Sequence, residues 1–234
     1  MTEFRTYLPV VEDVQLYRNL RCRDYECLAA PIAARYPYER VGFDRLLAIL
    51  VDLEELEILP PASVLDVGCN VGLFSLALAA VGYRVTGVDS NIAADVQGFY
   101  PDRVLSIARD HKDMLALDRL DLVEADVADY LNATARRFDV CLLLSVVHQW
   151  RAGYVSSGIG VKADGDVGRL LTQLASRTNR ALYYEGMDDA HLRAVEGVRL
   201  PDWFVARSLA STYQAIAVSP AANGELRTLY RIEI

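Results

Sequence analysis

The stretch that decides the fold is VLDVGCNVGLFSLALAAVGYRVTGVDS, residues 64–90. Three of its first four residues are apolar and β-prone, a glycine-containing turn follows at residues 68–72, and Leu73–Ala80 are strong helix formers without a breaker. A second apolar run ends at Asp89. The pattern predicts a strand, a tight turn, a helix and a parallel second strand, joined by a right-handed crossover. In open α/β sheets a ligand binds at the carboxyl ends of such strands, where a glycine turn lets the backbone come close to it.

The spacing within the turn separates two kinds of nucleoside ligand. A dinucleotide fingerprint requires G-x-G-x-x-G, whose middle glycine admits a pyrophosphate to the helix N-terminus, and Asn70 occupies that middle position here. The spacing is instead D-x-G-x-x-x-G and starts at Asp66, as expected for a ligand that brings an ammonium group. Asp89 follows Gly72 by 17 residues, a position from which a carboxylate can accept both hydroxyls of a ribose. Gly68 and Gly72 also fit a plain turn between a strand and a helix.

This first motif resembles that of the class I S-adenosylmethionine (SAM) dependent methyltransferases, usually written E/D-x-G-x-G-x-G. The resemblance implies an α/β fold with a Rossmann-like, doubly wound, seven-stranded and mostly parallel sheet, a C-terminal antiparallel hairpin and an N-terminal helical lid. It also implies SAM as the cofactor and S-adenosylhomocysteine (SAH) as the product. The cofactor-binding residues expected on this basis are Asp66, Gly68, Cys69, Asn70, Gly72, Asp89, Ser90, Asp126, Val127, Ser145 and Arg40.

The third strand is predicted over residues 120–126, followed by a helix over residues 127–135. In the family, the acidic residue that closes this strand binds the amino group of adenine, and the next residue packs on the ring. In this chain those residues are Asp126 and Val127. Asp126 also fits the N-cap position of the following helix, and the two roles are compatible.

Composition limits the class of protein. A chain of 234 residues that is 53% hydrophobic can bury one good core, and it contains no apolar run of about 18 residues, so no membrane span is expected. Charged residues near the start, in place of the apolar core of a signal peptide, favour a cytoplasmic location. The net charge of −8 argues against nucleic acid as a partner and favours a small molecule or a saccharide as acceptor. The four cysteines and three histidines form no metal pattern.

The first 60 residues are predicted to form an N-terminal helical lid, and residues 61–234 the methyltransferase domain. Residues 42–56 carry apolar side chains at helical spacing, and Pro60 and Pro61 end the helical segment. Tyrosines alternate with arginines in the lid. They fit either a helical cap with buried aromatic residues or a cover that turns its hydroxyl and guanidinium groups toward the acceptor.

The fourth strand is predicted over residues 138–147, as a continuous apolar run typical of a central parallel strand. Its carboxyl end lies beside the first strand, so Ser145, His148, Gln149 and Trp150 are expected next to the methyl donor. His148 is the candidate base because the ordinary pKa of histidine lets it accept a proton near neutrality, although a purely structural histidine also fits. Two strands over residues 213–219 and 226–234, joined at Asn-Gly, predict the final hairpin.

A looser resemblance extends over most of the chain. Five segments are similar to the methyltransferase module of bacterial polysaccharide chain-terminating methyltransferase-kinases: LYRN (16–19), GCNVGLFSLALA (68–79), LLSVVHQW (143–150), LLTQLASRTNRALYYE (170–185) and GELRTLYRI (224–232). Gln149 stands where that pattern has a second histidine. The resemblance adds Tyr17 to the catalytic candidates, and the substrate-binding set becomes Gln149, Trp150, Arg18, Arg227 and Tyr230.

The leading prediction is a SAM-dependent O-methyltransferase that acts on a small molecule, a saccharide or a biosynthetic intermediate, by in-line displacement with His148 as base. Three alternatives stay open. They are methylation of a terminal phosphate on a glycan, for which arginines matter more than His148, a non-catalytic SAM-binding partner subunit, and a nicotinamide-dependent oxidoreductase. A homodimer is compatible with each of them.

Overall fold

The computed structural model describes residues 43–92, 103–153, 160–186, 194–220 and 226–234. Most of the predicted lid lies outside the described residues, and with it Tyr17, Arg18 and Arg40. The Asn-Gly pair of the final hairpin also lies outside them.

The described elements alternate between strands and helices over most of the chain. The helices are α1 (Phe43–Glu55), α2 (Leu73–Ala80), α3 (Val104–Met114), α4 (Val127–Ala133), α5 (Val147–Ala152), α6 (Asp164–Arg177) and α7 (Leu200–Ala206). The strands are β1 (Ser63–Val67), β2 (Arg84–Asp89), β3 (Leu120–Glu124), β4 (Phe138–Leu144), β5 (Thr178–Glu185), β6 (Ala194–Val195), β7 (Val198–Arg199), β8 (Thr212–Pro220) and β9 (Leu226–Glu233).

Seven of these strands form one sheet, in the order β3-β2-β1-β4-β5-β9-β8. The first five in that order pair in parallel, whereas β9 is antiparallel to both of its neighbours. This confirms the predicted Rossmann-like sheet with its C-terminal hairpin. The strand order reverses between β1 and β4, and the crevice at such a switch point is where open α/β sheets bind their ligands.

The fourth strand is shorter than predicted. It ends at Leu144, Ser145 adopts a left-handed backbone conformation with φ 58°, and α5 begins at Val147. The prediction that the strand continues to residue 147 is therefore wrong. An apolar run alone cannot separate the end of a buried strand from the start of a buried helix, and Val146 and Val147 are buried in both cases.

Smaller boundary differences follow from capping. The third strand ends at Glu124, two residues before Asp126, and α4 ends at Ala133 rather than at residue 135. The sixth helix begins at Asp164, three residues before Val167, its first buried apolar residue, with two aspartates in its first turn. These acidic groups favour the N-terminus of a helix, so α6 starts in a polar stretch that the apolar pattern alone leaves out.

Helix α1 packs on the sheet face that carries α2 and α3. Leu46, Ile49 and Leu53 are buried in the apolar cluster on this face. Asp52 fixes the helix to the C-terminal strands, because it accepts hydrogen bonds from the Tyr183 hydroxyl at 2.6 Å and from Arg231 Nη1 at 2.5 Å. Burial raises the pKa of Asp52. The division of the chain at residue 60 stays a prediction, and α1, on its N-terminal side, contributes core residues to the sheet.

Within the described ranges, no helix is long and apolar enough to cross a membrane.

Candidate active site

The turn between β1 and α2 is held close to the start of α5. Gly68 has φ 68°, and a Cβ atom at this position would lie 2.6 Å from Val146 Cγ2, so no larger residue fits without a shift. Asn70 and Gly72 also have positive φ, of 53° and 82°. Asparagine is one of the few residues other than glycine that adopt this conformation readily. The turn therefore keeps its tight shape although its middle position is Asn70.

The carboxylate of Asp89 is oriented by two backbone donors at the tip of β2. The N–H of Asn70 donates to Oδ2 at 2.9 Å, and the N–H of Asn91 donates to Oδ1 at 2.7 Å. Burial raises the pKa of Asp89, and the two N–H groups oppose that rise. Ser90 follows on the exposed side. The carboxylate predicted to bind ribose is thus fixed directly against the glycine turn.

Asp66 lies at 4% exposure beneath the turn and contacts α2, since Ser75 Oγ donates to its Oδ2 at 2.6 Å. Burial raises the pKa of Asp66 to about 6, the Ser75 hydroxyl opposes this, and the charge of Asp89 adds to it. The Cys69 thiol is buried near both carboxyls, and burial raises its pKa. Cys69 and Cys141 are both free and buried, as small apolar side chains are.

Replacing Asp66 should make stability less dependent on pH. Its pKa in the folded protein, about 6, exceeds the ordinary value of an aspartate, 3.8, so the proton is held more tightly in the native state. The resulting stabilisation is complete at acidic pH and is lost as the pH rises through 6. Asp66→Asn is therefore expected to stabilise the protein by about 3 kcal/mol at pH 8 and by much less at pH 4.5. Urea unfolding at both pH values measures this, with Asp118→Asn on the surface as control. An equal effect at both pH values would contradict the prediction.

Asp126 caps α4 as well as lying at the tip of β3. Its Oδ1 accepts the N–H of Ala128 at 2.8 Å, which confirms the N-cap interpretation. Its Oδ2 accepts from Lys162 Nζ, also at 2.8 Å. Val127 is buried. Lys162 is a residue that sequence reasoning missed, because nothing in the local pattern relates it to a position 36 residues earlier.

A hydrogen-bonded cluster of four residues lies where β4 and β5 end. Ser145 Oγ donates to Glu185 Oε2 at 2.7 Å and accepts from Arg227 Nη1 at 2.8 Å. Arg45 of α1 donates to the same Glu185 oxygen at 2.6 Å, and its guanidinium lies over the Phe74 ring. Glu185 is fully buried. Sequence reasoning placed Ser145 and Arg227 in the site and missed Glu185 and Arg45, although the place of Glu185 at the end of the strand beside β4 was a usable signal.

His148, Gln149 and Trp150 lie on α5 rather than after it. His148 is 7% exposed, and its Nε2 lies 3.0 Å from Gln149 Nε2. An amide nitrogen can only donate, so with this amide orientation Nε2 of His148 is the acceptor. Trp150 is buried in the core, and its carbonyl accepts the N–H of Lys162 at 2.6 Å. Of the three, Gln149 is the most exposed.

Tyr230 is separated from the other predicted substrate-binding residues that are described. It stacks with Tyr184, meets Tyr213 edge to face and accepts a hydrogen bond from Arg199. Arg227 precedes it by three positions in β9, so the two side chains point to opposite faces of the sheet. Arg227 thus joins the Ser145 cluster, whereas Tyr230 joins the aromatic cluster near α7.

Among the described residues, no group of three or more His, Cys, Asp or Glu side chains could hold a metal ion.

Residues 38–150 match a protein-family model that is described as a methyltransferase domain. No curated protein matches the chain.

Many solved structures resemble the fold, and WbdD, ChlM and EvdMO1 are among them. The bifunctional kinase-methyltransferase WbdD is 24% identical with a TM-score of 0.58, over 82% of this chain and 40% of that one. Magnesium protoporphyrin IX methyltransferase (ChlM) from Synechocystis PCC 6803 with bound SAM is 15% identical with a TM-score of 0.53, over 94% of this chain and 84% of that one. EvdMO1 is 20% identical with a TM-score of 0.53, over 81% of this chain and 40% of that one. The chain thus spans about 40% of the length of WbdD, and these likenesses concern the fold.

Proposed function

We propose that the chain transfers the methyl group of SAM to an oxygen atom, because residues 38–150 match the methyltransferase domain model and the sheet has the class I fold. The proposed acceptors are small molecules, saccharides and biosynthetic intermediates. The observation that carries the proposal is the position of the Asp89 carboxylate, which two backbone N–H groups fix against the glycine turn. At Gly68 this turn has no room for a side chain.

The described residues fit SAM at the carboxyl ends of β1, β2 and β3. We assign the ribose hydroxyls to Asp89, the amino-acid part to the turn at Gly68, and the adenine to Asp126 and Val127. The turn's backbone can approach a ligand closely because Gly68 has no Cβ atom. The sulfonium of bound SAM supplies a methyl group that is already activated. The protein's task is then to hold the acceptor in line and to exclude water.

Calorimetric titration of the purified chain with SAM, SAH and NAD⁺ tests the proposal. We expect binding of SAM and SAH and none of NAD⁺, because Asn70 stands where a dinucleotide fingerprint has glycine. A folded protein that binds neither SAM nor SAH would contradict the proposal. Binding of NAD⁺ without SAM would support the oxidoreductase alternative instead.

A hydroxyl acceptor requires a base, and His148 is the residue proposed for it. It is the second residue of α5 and lies three residues beyond Ser145, and α5 follows β4, the strand that pairs with β1 at the switch point. General-base catalysis contributes about 10²- to 10⁴-fold. His148→Ala is therefore expected to lower methyl transfer at least about 100-fold, with SAM affinity retained. Transfer of radiolabelled methyl from SAM to a panel of polyhydroxylated small molecules and oligosaccharides measures this.

His111→Ala is the matched control for this prediction. His111 lies on α3, its Nδ1 is 2.7 Å from the carbonyl of Ile107, and it takes no part in the proposed site. We expect this variant to keep wild-type transfer. Transfer by His148→Ala within threefold of wild type would show that the acceptor needs no base.

A terminal phosphate on a glycan is the second candidate acceptor. The cluster at the ends of β4 and β5 contains two arginines and one carboxylate, since Arg45 donates to Glu185 and Arg227 donates to Ser145 Oγ, so it has a formal excess of one positive charge. A phosphate needs no base but benefits from guanidinium groups. For this acceptor, Arg227→Ala should reduce transfer more than His148→Ala, and for a hydroxyl acceptor the order should be reversed.

A non-catalytic SAM-binding subunit remains the third alternative. It would bind SAM in the titration and methylate no acceptor when alone. A homodimer and a cytoplasmic location stay predictions from the sequence.

A further inference from the structure

Residues 160–162 contact α5 and the segments that follow β2 and β3. The N–H of Lys162 donates to the Trp150 carbonyl at 2.6 Å, which ties the segment to α5. A Cβ atom on Gly160 would lie 2.9 Å from Cδ1 of Ile92, three residues beyond Asp89. The ammonium of Lys162 donates to Asp126 Oδ2 at 2.8 Å. The segment therefore connects α5 with the tips of both β2 and β3.

This region is the base side of the site assigned above, and the argument rests on that proposed function. The tips of β2 and β3 are adjacent, because Asp89 pairs with Glu124 and its carbonyl accepts the N–H of Ala125 at 3.0 Å. In the proposed arrangement Asp89 holds the ribose, and the amino-acid part of the ligand lies at the turn after β1. The base must then extend toward β3. The first carboxylate beyond β3 is that of Asp126.

The carboxylate of Asp126 is already engaged on both oxygens. Oδ1 accepts the N–H of Ala128 in the cap of α4, and Oδ2 accepts from Lys162. The 6-amino group of adenine is a donor, as is an ammonium group. A carboxylate oxygen can accept two hydrogen bonds, as Glu185 Oε2 does, but two donors at Oδ2 must share its negative charge and the space around it. We propose that Lys162 competes with the 6-amino group of adenine for Asp126 Oδ2, and so sets both the affinity for the cofactor and its dependence on that amino group.

Removal of the Lys162 ammonium is expected to tighten cofactor binding by a small factor. The side chains of Lys162 and Asp126 are 21% and 40% exposed, and ion pairs this accessible to water are weak. Removing the competing ammonium should therefore tighten binding of an adenine nucleoside by about two- to fivefold. If Lys162 instead helped to hold the base, its removal would weaken binding.

Calorimetric titration of SAH into the full chain tests this, with three variants. Lys162→Met removes the charge, keeps the length of the side chain and leaves the backbone bond to Trp150 in place. Lys162→Arg restores a cation and should bind SAH as the wild type does. Lys112→Met, on α3 and away from the site, is the matched control and should also have the wild-type dissociation constant.

An SAH analogue with hydrogen in place of the 6-amino group distinguishes the proposed role of Lys162 from a merely structural one. It has no donor for Asp126, so Lys162→Met should leave its affinity unchanged while SAH binds two- to fivefold more tightly. Unchanged or weaker SAH binding by Lys162→Met would overturn the inference, as would an equal gain for both ligands. A wild-type chain that binds no SAH would contradict the proposed function itself, and this inference with it.

Discussion

Asp89→Ala is expected to weaken SAM binding at least about 100-fold. A carboxylate that accepts two ribose hydroxyls makes two charge-assisted hydrogen bonds, each of about 1.5–3 kcal/mol, and about 3 kcal/mol corresponds to more than 100-fold in the dissociation constant. The variant also frees the N–H groups of Asn70 and Asn91, which hold the turn against β2. Calorimetric titration with SAM measures the loss.

Two further variants make this result interpretable. Asp89→Asn keeps the shape of the side chain and one acceptor oxygen, so it should lose less affinity than Asp89→Ala. Asp118→Ala, an exposed aspartate in the turn before β3, should bind as the wild type does. Circular dichroism and thermal unfolding show whether each variant is folded. A folded Asp89→Ala protein within tenfold of wild-type affinity would rule out Asp89 as the ribose ligand.

Glu185→Ala is expected to have the largest effect on stability, a loss of about 3–5 kcal/mol. Glu185 is fully buried and accepts hydrogen bonds from Arg45 and Ser145. Removing the carboxylate takes away the charge that the buried Arg45 guanidinium contacts at 2.6 Å, and it also removes the acceptor of the Ser145 hydroxyl. Urea unfolding measures the change in the free energy of unfolding.

The controls for Glu185 separate charge from hydrogen bonding. Glu185→Gln keeps an acceptor oxygen for Ser145 and removes only the charge, so its loss should be smaller than that of Glu185→Ala. Glu196→Ala breaks an ion pair with Arg207 in which both side chains are more than one third exposed, and should cost less than about 1 kcal/mol. A loss below about 1 kcal/mol for Glu185→Ala would mean that the cluster contributes little to stability.

Sequence reasoning predicted the sheet because its determinants are local. The apolar runs of β1, β2 and β4, the glycine turn and the hairpin at the C-terminus are each visible within about ten residues. The end of β4 was missed because Ser145 breaks the strand through a left-handed backbone conformation, which no apolar pattern records. The bounds of such elements depend on caps and turns more than on hydrophobicity.

Residues of the candidate site could be predicted from the sequence only where they lie at, or just beyond, the end of a strand. Asp89 is the last residue of β2, and Asp126 follows the last residue of β3 by two positions. Arg45 and Lys162 could not be predicted, because their partners are 140 and 36 residues away in sequence. Such contacts depend on how helices and loops dock onto the finished sheet. A single sequence contains no local signal for them.

The attachment of α1 has a consequence for the order of folding. Asp52 binds Arg231, which is 179 residues later in the chain, and α1 packs beside β8. The strands from β1 to β4 can form from neighbouring segments, whereas α1 gains these partners only when the C-terminal hairpin has been synthesised. Contacts between distant segments form late because closing a long loop costs entropy. We therefore expect a growing chain on the ribosome to assemble its nucleoside-binding half first, and to bring Arg45 to Glu185 in the last stage.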